Sequence, residues 1–195
     1  MDGNRYLDSQ LTRELLFKVG ESLAAKNMTA EIALYGGSSL LFTIDGRKST
    51  KDVDYLNISE SNNELEQIAI GVGQEYGLSS NWFSDITEVI ASEHPEYSFF
   101  GDFPPEKPGL RVFTATPEYI LAMKMKTTRS SFEGNDFKDI WLLLDYCQIT
   151  ELDDAVKCFE KFFPFEKLTP RNEAIMYDII AAQKAGEQYN PMIAW

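Results

Sequence analysis

Two carboxylates one residue apart, Asp52 and Asp54, stand in the stretch Ser49-Thr50-Lys51-Asp52-Val53-Asp54-Tyr55-Leu56-Asn57-Ile58. Val53, Tyr55, Leu56 and Ile58 give the stretch the composition of a strand from Asp52 to Ile58, in which residues two apart share a face. Asp52 and Asp54 are therefore expected to point the same way. Like charges so placed repel, and neither ionises freely in a half-buried strand unless a cation or a proton lies between them. Magnesium suits the place. It prefers hard oxygen ligands and is commonly held by one or two carboxylates together with substrate phosphates.

A phosphate-binding element is expected upstream. Glu31-Ile32-Ala33-Leu34-Tyr35 is a short apolar run that ends in Gly36-Gly37 and is followed by Ser38-Ser39-Leu40-Leu41-Phe42-Thr43-Ile44. The spacing predicts a buried strand, a tight glycine turn and a short helix capped by Ser38 or Ser39. Backbone N–H groups at such a turn can approach a phosphate closely, and the two hydroxyls add donors. Glycine turn and acidic pair together are the parts needed for metal-assisted phosphoryl or nucleotidyl transfer.

Further along, Lys124 lies one helical turn beyond Ile120 and Leu121, so it projects from an apolar face, where a lysine is normally paired. Asp136 and Asp139 share a side with Ile140 and Leu143 on the following helix. A triphosphate or Asp139 is thus the expected partner for Lys124, and Asp136 also suits a helix cap. His94, the one histidine, precedes Pro95 and has no catalytic partner in the sequence. Cys147 and Cys158 form no CxxC pair, so zinc binding, a structural disulfide and Ser/His or Cys/His nucleophilic catalysis are not expected.

The elements that must position these residues follow from periodicity. Leu11, Leu15, Leu16, Val19, Leu23 and Ala24 predict an amphipathic helix over residues 10–26, with Ser9 as its cap. Strand, glycine turn, short helix and the acidic strand come next, and then a second amphipathic helix in Glu64-Leu65-Glu66-Gln67-Ile68-Ala69-Ile70 and beyond. Residues 78–108 mix Trp82, Phe83, Phe99, Phe100 and Phe103 with prolines and predict an irregular aromatic segment with one or two strands. Leu110–Ala115 reads as a further strand, and Thr116-Pro117-Glu118 as a capped helix start. The helix through Lys124 ends in the loop Ser130–Asn135. A helix from Asp136 and two more, broken by Pro164 and restarted at Thr169-Pro170, complete the chain. The pattern is α+β, with a small sheet and a helical C-terminal part.

The chain has 195 residues and 44% hydrophobic content, enough for one substantial core or for a core with a helical extension. No run of about 18 uncharged apolar residues occurs, and the first residues have no signal-peptide character, so a soluble, cytoplasmic protein is expected. A formal charge of −13 and a pI near 4.5 oppose a general nucleic-acid surface. The densest basic segments, Arg47-Lys48 with Lys51 and Lys124 with Lys126 and Arg129, flank the residues singled out above.

Tyr35-Gly36-Gly37-Ser38-Ser39-Leu40, followed by Arg47-x-x-Thr50-x-Asp52-Val53-Asp54, resembles the GGS … R-x-T-x-D-[IV]-D signature of the nucleotidyltransferase superfamily with the polymerase-beta-like core. Within it the chain is similar to the AbiEii/MenT-like branch, some of whose members are toxins of toxin–antitoxin pairs. Pro117-Glu118-Tyr119-Ile120-Leu121-Ala122-Met123-Lys124-Met125-Lys126-Thr127-Thr128-Arg129 resembles the branch's later P-E-x-L-x-x-K-x-x-A-x-R helix, and Asp136 to Leu144 its following [RK]-D-x-x-D-[IL]-x-x-L helix. The resemblance covers about Leu34 to Tyr146.

The resemblance implies a nucleotidyltransferase-like core with the N-terminal helix over residues 1–115 and a helical part over 116–195 that completes the active site. It implies Asp52 and Asp54 as ligands of Mg²⁺ or Mn²⁺ and as catalytic residues, together with Lys124 and Asp139. Gly36, Gly37, Ser38, Ser39, Arg47, Thr50, Arg129 and Asp136 are implied as nucleotide-binding. An NTP donor follows, with RNA, a protein hydroxyl or a small molecule as acceptor and an antitoxin protein as partner. The chain departs from the pattern in two places. Leu110–Ala115 contains no third carboxylate, although Asp102 and Glu106 lie upstream, and Thr127-Thr128 stand where a small alanine is usual. The rival readings are a non-catalytic module of the same fold that acts through protein contacts, and an aminoglycoside-type nucleotidyltransferase with an acidic pocket for a cationic acceptor.

Overall fold

A computed structural model describes residues 6–44, 47–59, 63–86, 92–127 and 135–188. The chain is mixed α+β: seven described helices and one five-stranded mixed sheet. It divides into two compact units, Met1–Ala91 with Tyr97–Ala115, and Ser92–Glu96 with Thr116–Trp195.

The first unit holds the sheet. Its elements are α1 (Ser9–Ala25), β1 (Ala30–Leu34), α2 (Gly36–Thr43), β2 (Val53–Asn57), α3 (Asn63–Glu75), β3 (Phe83–Asp85), β4 (Tyr97–Phe103) and β5 (Leu110–Ala115). The strand order is β3-β2-β1-β5-β4. β1 runs antiparallel to β2 and parallel to β5, β3 is parallel to β2, and β4 is antiparallel to β5. The predicted irregular aromatic segment thus supplies both edge strands.

Alternation along the strands sorts the side chains into two faces. Ala30, Ile32, Leu34, Val53, Tyr55, Leu110 and Val112 form one core cluster with Leu15, Leu16, Val19 and Leu23 of α1 and Leu65, Ala69 and Val72 of α3. Each fully buried leucine or valine here contributes about 1.5–3 kcal/mol. Trp82 closes the cluster and donates its indole N–H to the Ala69 carbonyl at 2.8 Å. Glu31, Ala33, Asp54, Leu56, Arg111 and Phe113 lie on the other face by the same alternation.

Two expected caps are corrected. Asp8, not Ser9, caps α1, accepting from Leu11 N–H at 2.8 Å, because its side chain reaches the first-turn amide from one residue earlier. α2 starts at Gly36 and has Tyr35 as N-cap with no side-chain bond, so Ser38 and Ser39 lie inside it. Neither hydroxyl caps: Ser38 Oγ donates back to the Tyr35 carbonyl at 2.6 Å, and Ser39 Oγ to the Ala115 carbonyl at 3.5 Å.

The second unit is built on α4 (Pro117–Thr127), with α5 (Asp136–Tyr146), α6 (Leu152–Phe162) and α7 (Pro170–Lys184). Tyr119, Ile120, Leu121, Ala122, Met123 and Met125 are all buried, which makes α4 apolar around nearly its whole circumference and places it centrally. Tyr119 stacks on Phe162 with centroids 4.8 Å apart, and Asn172 Nδ2 donates to the Met125 carbonyl at 2.7 Å. The helix restart expected at Thr169-Pro170 is present, with Thr169 as the cap of α7, accepting from Asn172 N–H at 3.2 Å. The expected Thr116 cap is corrected: its buried hydroxyl has no hydrogen-bond partner among the described residues. The predicted loop Ser130–Asn135 falls, apart from Asn135, outside the described residues, and no described helix is long and apolar enough to cross a membrane.

Two helix glycines separate packing from propensity. A β-carbon on Gly20 of α1 would fall 2.1 Å from the Phe103 carbonyl oxygen, whereas one on Gly71 of α3 would meet nothing within 4 Å. Gly20→Ala is expected to destabilise the protein by about 1–3 kcal/mol, and Gly71→Ala to stabilise it by about 0.5–1 kcal/mol. Urea-denaturation midpoints of the two variants should move in opposite directions.

Candidate active site

In the first unit, the turn between β1 and α2 draws several of the sequence-predicted residues together. Gly36 has φ +52°, in the left-handed region that glycine enters without a β-carbon penalty. The turn is tied to β2 by Tyr35 N–H donating to the Asp54 carbonyl at 2.9 Å. Ser38 Oγ is also 3.3 Å from that carbonyl oxygen. The Asp54 side chain closes on the turn as well, since a β-carbon on Gly36 would lie 3.4 Å from its Oδ2.

Gly37 is crowded by two polar side chains. A β-carbon there would fall 2.6 Å from Arg47 Nη2 and 2.7 Å from Thr50 Oγ1, so the missing side chain is the space these groups fill. Arg47 is fixed by donating Nε–H to the Ser49 carbonyl at 2.9 Å. Thr50 is fixed by paired backbone bonds with Leu7, at 2.8 and 2.9 Å. A guanidinium and a hydroxyl therefore sit over the first turn of α2, whose leading amides have no partner within the helix. Donors so gathered at a helix N-terminus favour an anion such as phosphate.

The acidic pair is less regular than a strand from Asp52 to Ile58 predicts. β2 begins at Val53 and ends at Asn57, so Asp52 precedes it and Ile58 follows it, 39% exposed. Asp54, half-buried, is turned to the face opposite the core because Val53 and Tyr55 occupy the core face. Asp52 is exposed, and strand alternation does not govern its direction. Among the described residues no group of three or more His, Cys, Asp or Glu side chains is placed to hold a metal ion. Two hard carboxylate donors fit Mg²⁺ where phosphate oxygens and water fill the remaining positions, which is how this ion usually binds.

In the second unit, Lys124 carries an ion cluster. Its ammonium is 2.7 Å from Asp136 Oδ1 and 3.0 Å from Asp139 Oδ2, with the lysine side chain 12% exposed and that of Asp139 2%. Asp136 is the first residue of α5, not its cap, which is Asn135. Of the two partners expected for Lys124, Asp139 is paired with it, and Asp136 joins them. Arg129 and Thr128 lie outside the described residues. Sequence reasoning did not find the cleft of about 420 Å³ in this unit, lined by Leu144, Asp145, Ile149, Thr150, Ile180 and Lys184 among others. None of the expected site residues lines it.

The cysteines are unsuited to nucleophilic work. Burial pushes the Cys147 and Cys158 thiols up to about 12, which leaves almost no thiolate at neutral pH. The chain matches no protein-family model and no curated protein.

The buried ion cluster and the thiols each give a measurable outcome. Lys124→Met leaves the Asp139 carboxylate buried without its cation and is expected to cost about 3–5 kcal/mol, while Lys124→Met combined with Asp139→Leu should recover most of that loss. Chemical denaturation of both variants checks it. Iodoacetamide at pH 8 should label both cysteines of the folded protein at least a hundredfold more slowly than those of the urea-unfolded protein, read by mass spectrometry.

Proposed function

We propose that the protein is a metal-dependent nucleotidyltransferase that moves an NMP from an NTP to an acceptor hydroxyl. The observation that carries this reading is the convergence of Asp54, Arg47 and Thr50 on the Gly36-Gly37 turn at the start of α2. The motif resemblance supports it independently, because it names the same residues from their order along the chain.

In this reading Gly36, Gly37, Ser38 and Ser39 form the phosphate-binding turn. Arg47 offsets charge that builds on the transferring phosphoryl group, and Thr50 donates to a phosphate oxygen. Asp52 and Asp54 hold the divalent ion, which when bound supplies Lewis-acid polarisation of the reacting phosphate. The acceptor oxygen attacks the α-phosphorus and the α–β phosphoanhydride bond breaks. Pyrophosphate leaves with the bonding pair, and the hydroxyl proton passes to solvent. Transfer to RNA, to a protein hydroxyl or to a small molecule is chemically equivalent at this step. A role as the toxin of a toxin–antitoxin pair, restrained by an antitoxin protein, extends the reading and rests on the motif resemblance alone.

The test is transfer of label from α-³²P NTPs in the presence of Mg²⁺ to components of a cell extract. The wild-type protein should label a discrete macromolecule or small molecule. Asp54→Asn should lower the rate by at least about a hundredfold while leaving the circular dichroism spectrum unchanged. Absence of metal-dependent transfer by the wild type, or undiminished transfer by Asp54→Asn, would overturn the proposal.

A further inference from the structure

The cleft of about 420 Å³ in the helical unit is used by nothing in the catalytic reading, and its size is that of a small-molecule site. Two helix C-termini build it: Leu144 and Asp145 come from the end of α5, and Ile180, Gln183 and Lys184 from the end of α7. Both helices close in the same way. Gln148 takes a left-handed backbone, φ +54°, and Ile149 N–H donates back to the Leu144 carbonyl at 2.9 Å, which brings Ile149 and Thr150 onto the cleft. After α7, Gly186 has φ +72° and Glu187 N–H donates to the Ala182 carbonyl at 3.1 Å.

The lining is apolar at its base, where Leu144 and Ile180 are buried and Ile149 is half-buried. Its charges do not balance. Lys184 is matched by Glu151 at 2.6 Å, whereas the Asp145 carboxylate has no ionic or hydrogen-bond partner among the described residues. Each helix adds the negative end of its dipole at the same place. Gln183 Nε2 donates to the Trp141 carbonyl at 2.9 Å, which leaves the amide oxygen as an acceptor, and the Thr150 hydroxyl is another. An unmatched carboxylate and two neutral acceptors over an apolar base are the counterpart of a primary ammonium, which brings three N–H donors.

We infer that this cleft binds a small organic ammonium ion, its charged head at Asp145 and its hydrocarbon or aromatic body on Leu144, Ile149 and Ile180. An anion would meet Asp145 and both helix ends with the wrong sign, and a neutral ligand would leave the carboxylate unmatched. A bare inorganic cation would gain nothing from the apolar base, and no group of three or more His, Cys, Asp or Glu among the described residues is placed to hold a metal ion. Asp145 is exposed, so salt screens its attraction and the apolar body must supply part of the affinity. The site lies wholly within the second unit and stands independently of the nucleotidyltransferase reading.

The probe is phenethylammonium, titrated into the full chain and followed by NMR of the leucine and isoleucine methyl groups. Phenethyl alcohol and phenylacetate keep the ring with a neutral or negative head, and methylammonium keeps the head alone. Phenethylammonium should bind with a Kd on the order of millimolar or tighter and shift the methyls of Leu144, Ile149 and Ile180, and the other three should bind at least about tenfold more weakly. Asp145→Asn should lower the affinity roughly tenfold. Glu173→Gln removes the same charge from the first turn of α7, at the end away from the cleft, and should leave affinity within twofold of wild type. Both side chains are exposed, so the variants should fold, which thermal melting verifies. The inference is overturned if phenethylammonium does not bind, if any of the other three probes binds as tightly, or if the shifted methyls lie outside the cleft. It is equally overturned if Asp145→Asn stays within twofold of wild type or if Glu173→Gln loses as much as Asp145→Asn.

Discussion

The absence of side chains at Gly36 and Gly37 is the constraint on which the candidate site depends. Gly36 takes the left-handed backbone that lets β1 turn into α2, and Gly37 leaves the volume into which the Arg47 guanidinium and the Thr50 hydroxyl fit. A methyl group at Gly37 would collide with both. The turn is held from the other side by β2, whose Asp54 gives its carbonyl to Tyr35 N–H and sets its carboxylate beside Gly36. Backbone bonds thus help to position positive and negative groups around one helix N-terminus. That is a pre-organised arrangement, which lowers the cost of ordering the site when a charged ligand arrives.

The same sheet solves a packing problem and a chemical one. One face is a conventional apolar layer against α1 and α3, closed by Trp82. The opposite face carries Asp54, the edge-to-face pair of Phe99 and Phe113, and Arg111 bridged to Asp102 and Glu31. A half-buried carboxylate on an apolar sheet would be expensive alone. Here it lies where a strand end meets a helix N-terminus, the part of the fold richest in unused donors. In the helical unit the solution differs: Lys124 is drawn below the surface and matched by two aspartates, one of them almost wholly buried. Buried pairs of this kind add little net stability yet are costly to break, so they fix geometry more than they strengthen the fold.

Acidic composition limits what these sites are expected to bind. With a formal charge of −13, the protein repels polyanions at a distance, and its cations are mostly engaged locally, as in Lys18–Glu21, Lys26–Glu64 and Lys184–Glu151. Exposed pairs like these contribute about 0–1 kcal/mol each and matter little to stability. Arg47, set over Gly37 and bonded to the Ser49 carbonyl, has a defined place beside the turn, which in the proposed reading suits a compact anion such as a triphosphate better than an extended one.

The amino-acid sequence by itself determined the elements with strong periodicity and the local chemistry of short segments. The amphipathic helix through Leu15, Val19 and Leu23, the strand Leu110–Ala115, the glycine turn and the Thr169-Pro170 helix start are all local, since each depends on residues a turn or a few positions apart. The pairing of Lys124 with Asp139 was legible for a similar reason, because an inward lysine needs a partner and the next helix offered one on its apolar side. Only the tertiary structure decided the rest. Strand pairing put Tyr97 and Phe99 beside β5 and gave the aromatic segment its edges, and no local pattern contains that long-range choice. Ser38 and Ser39 bond to carbonyls instead of capping because helix entry at Gly36 leaves them one turn inside. Asp52 falls outside β2 because β2 pairing with β3 begins at Val53, a limit set by Phe83 on a strand far along the chain. Distances between side chains are fixed by how strands align, and alignment is a property of the folded sheet that the order of residues expresses only through its partners.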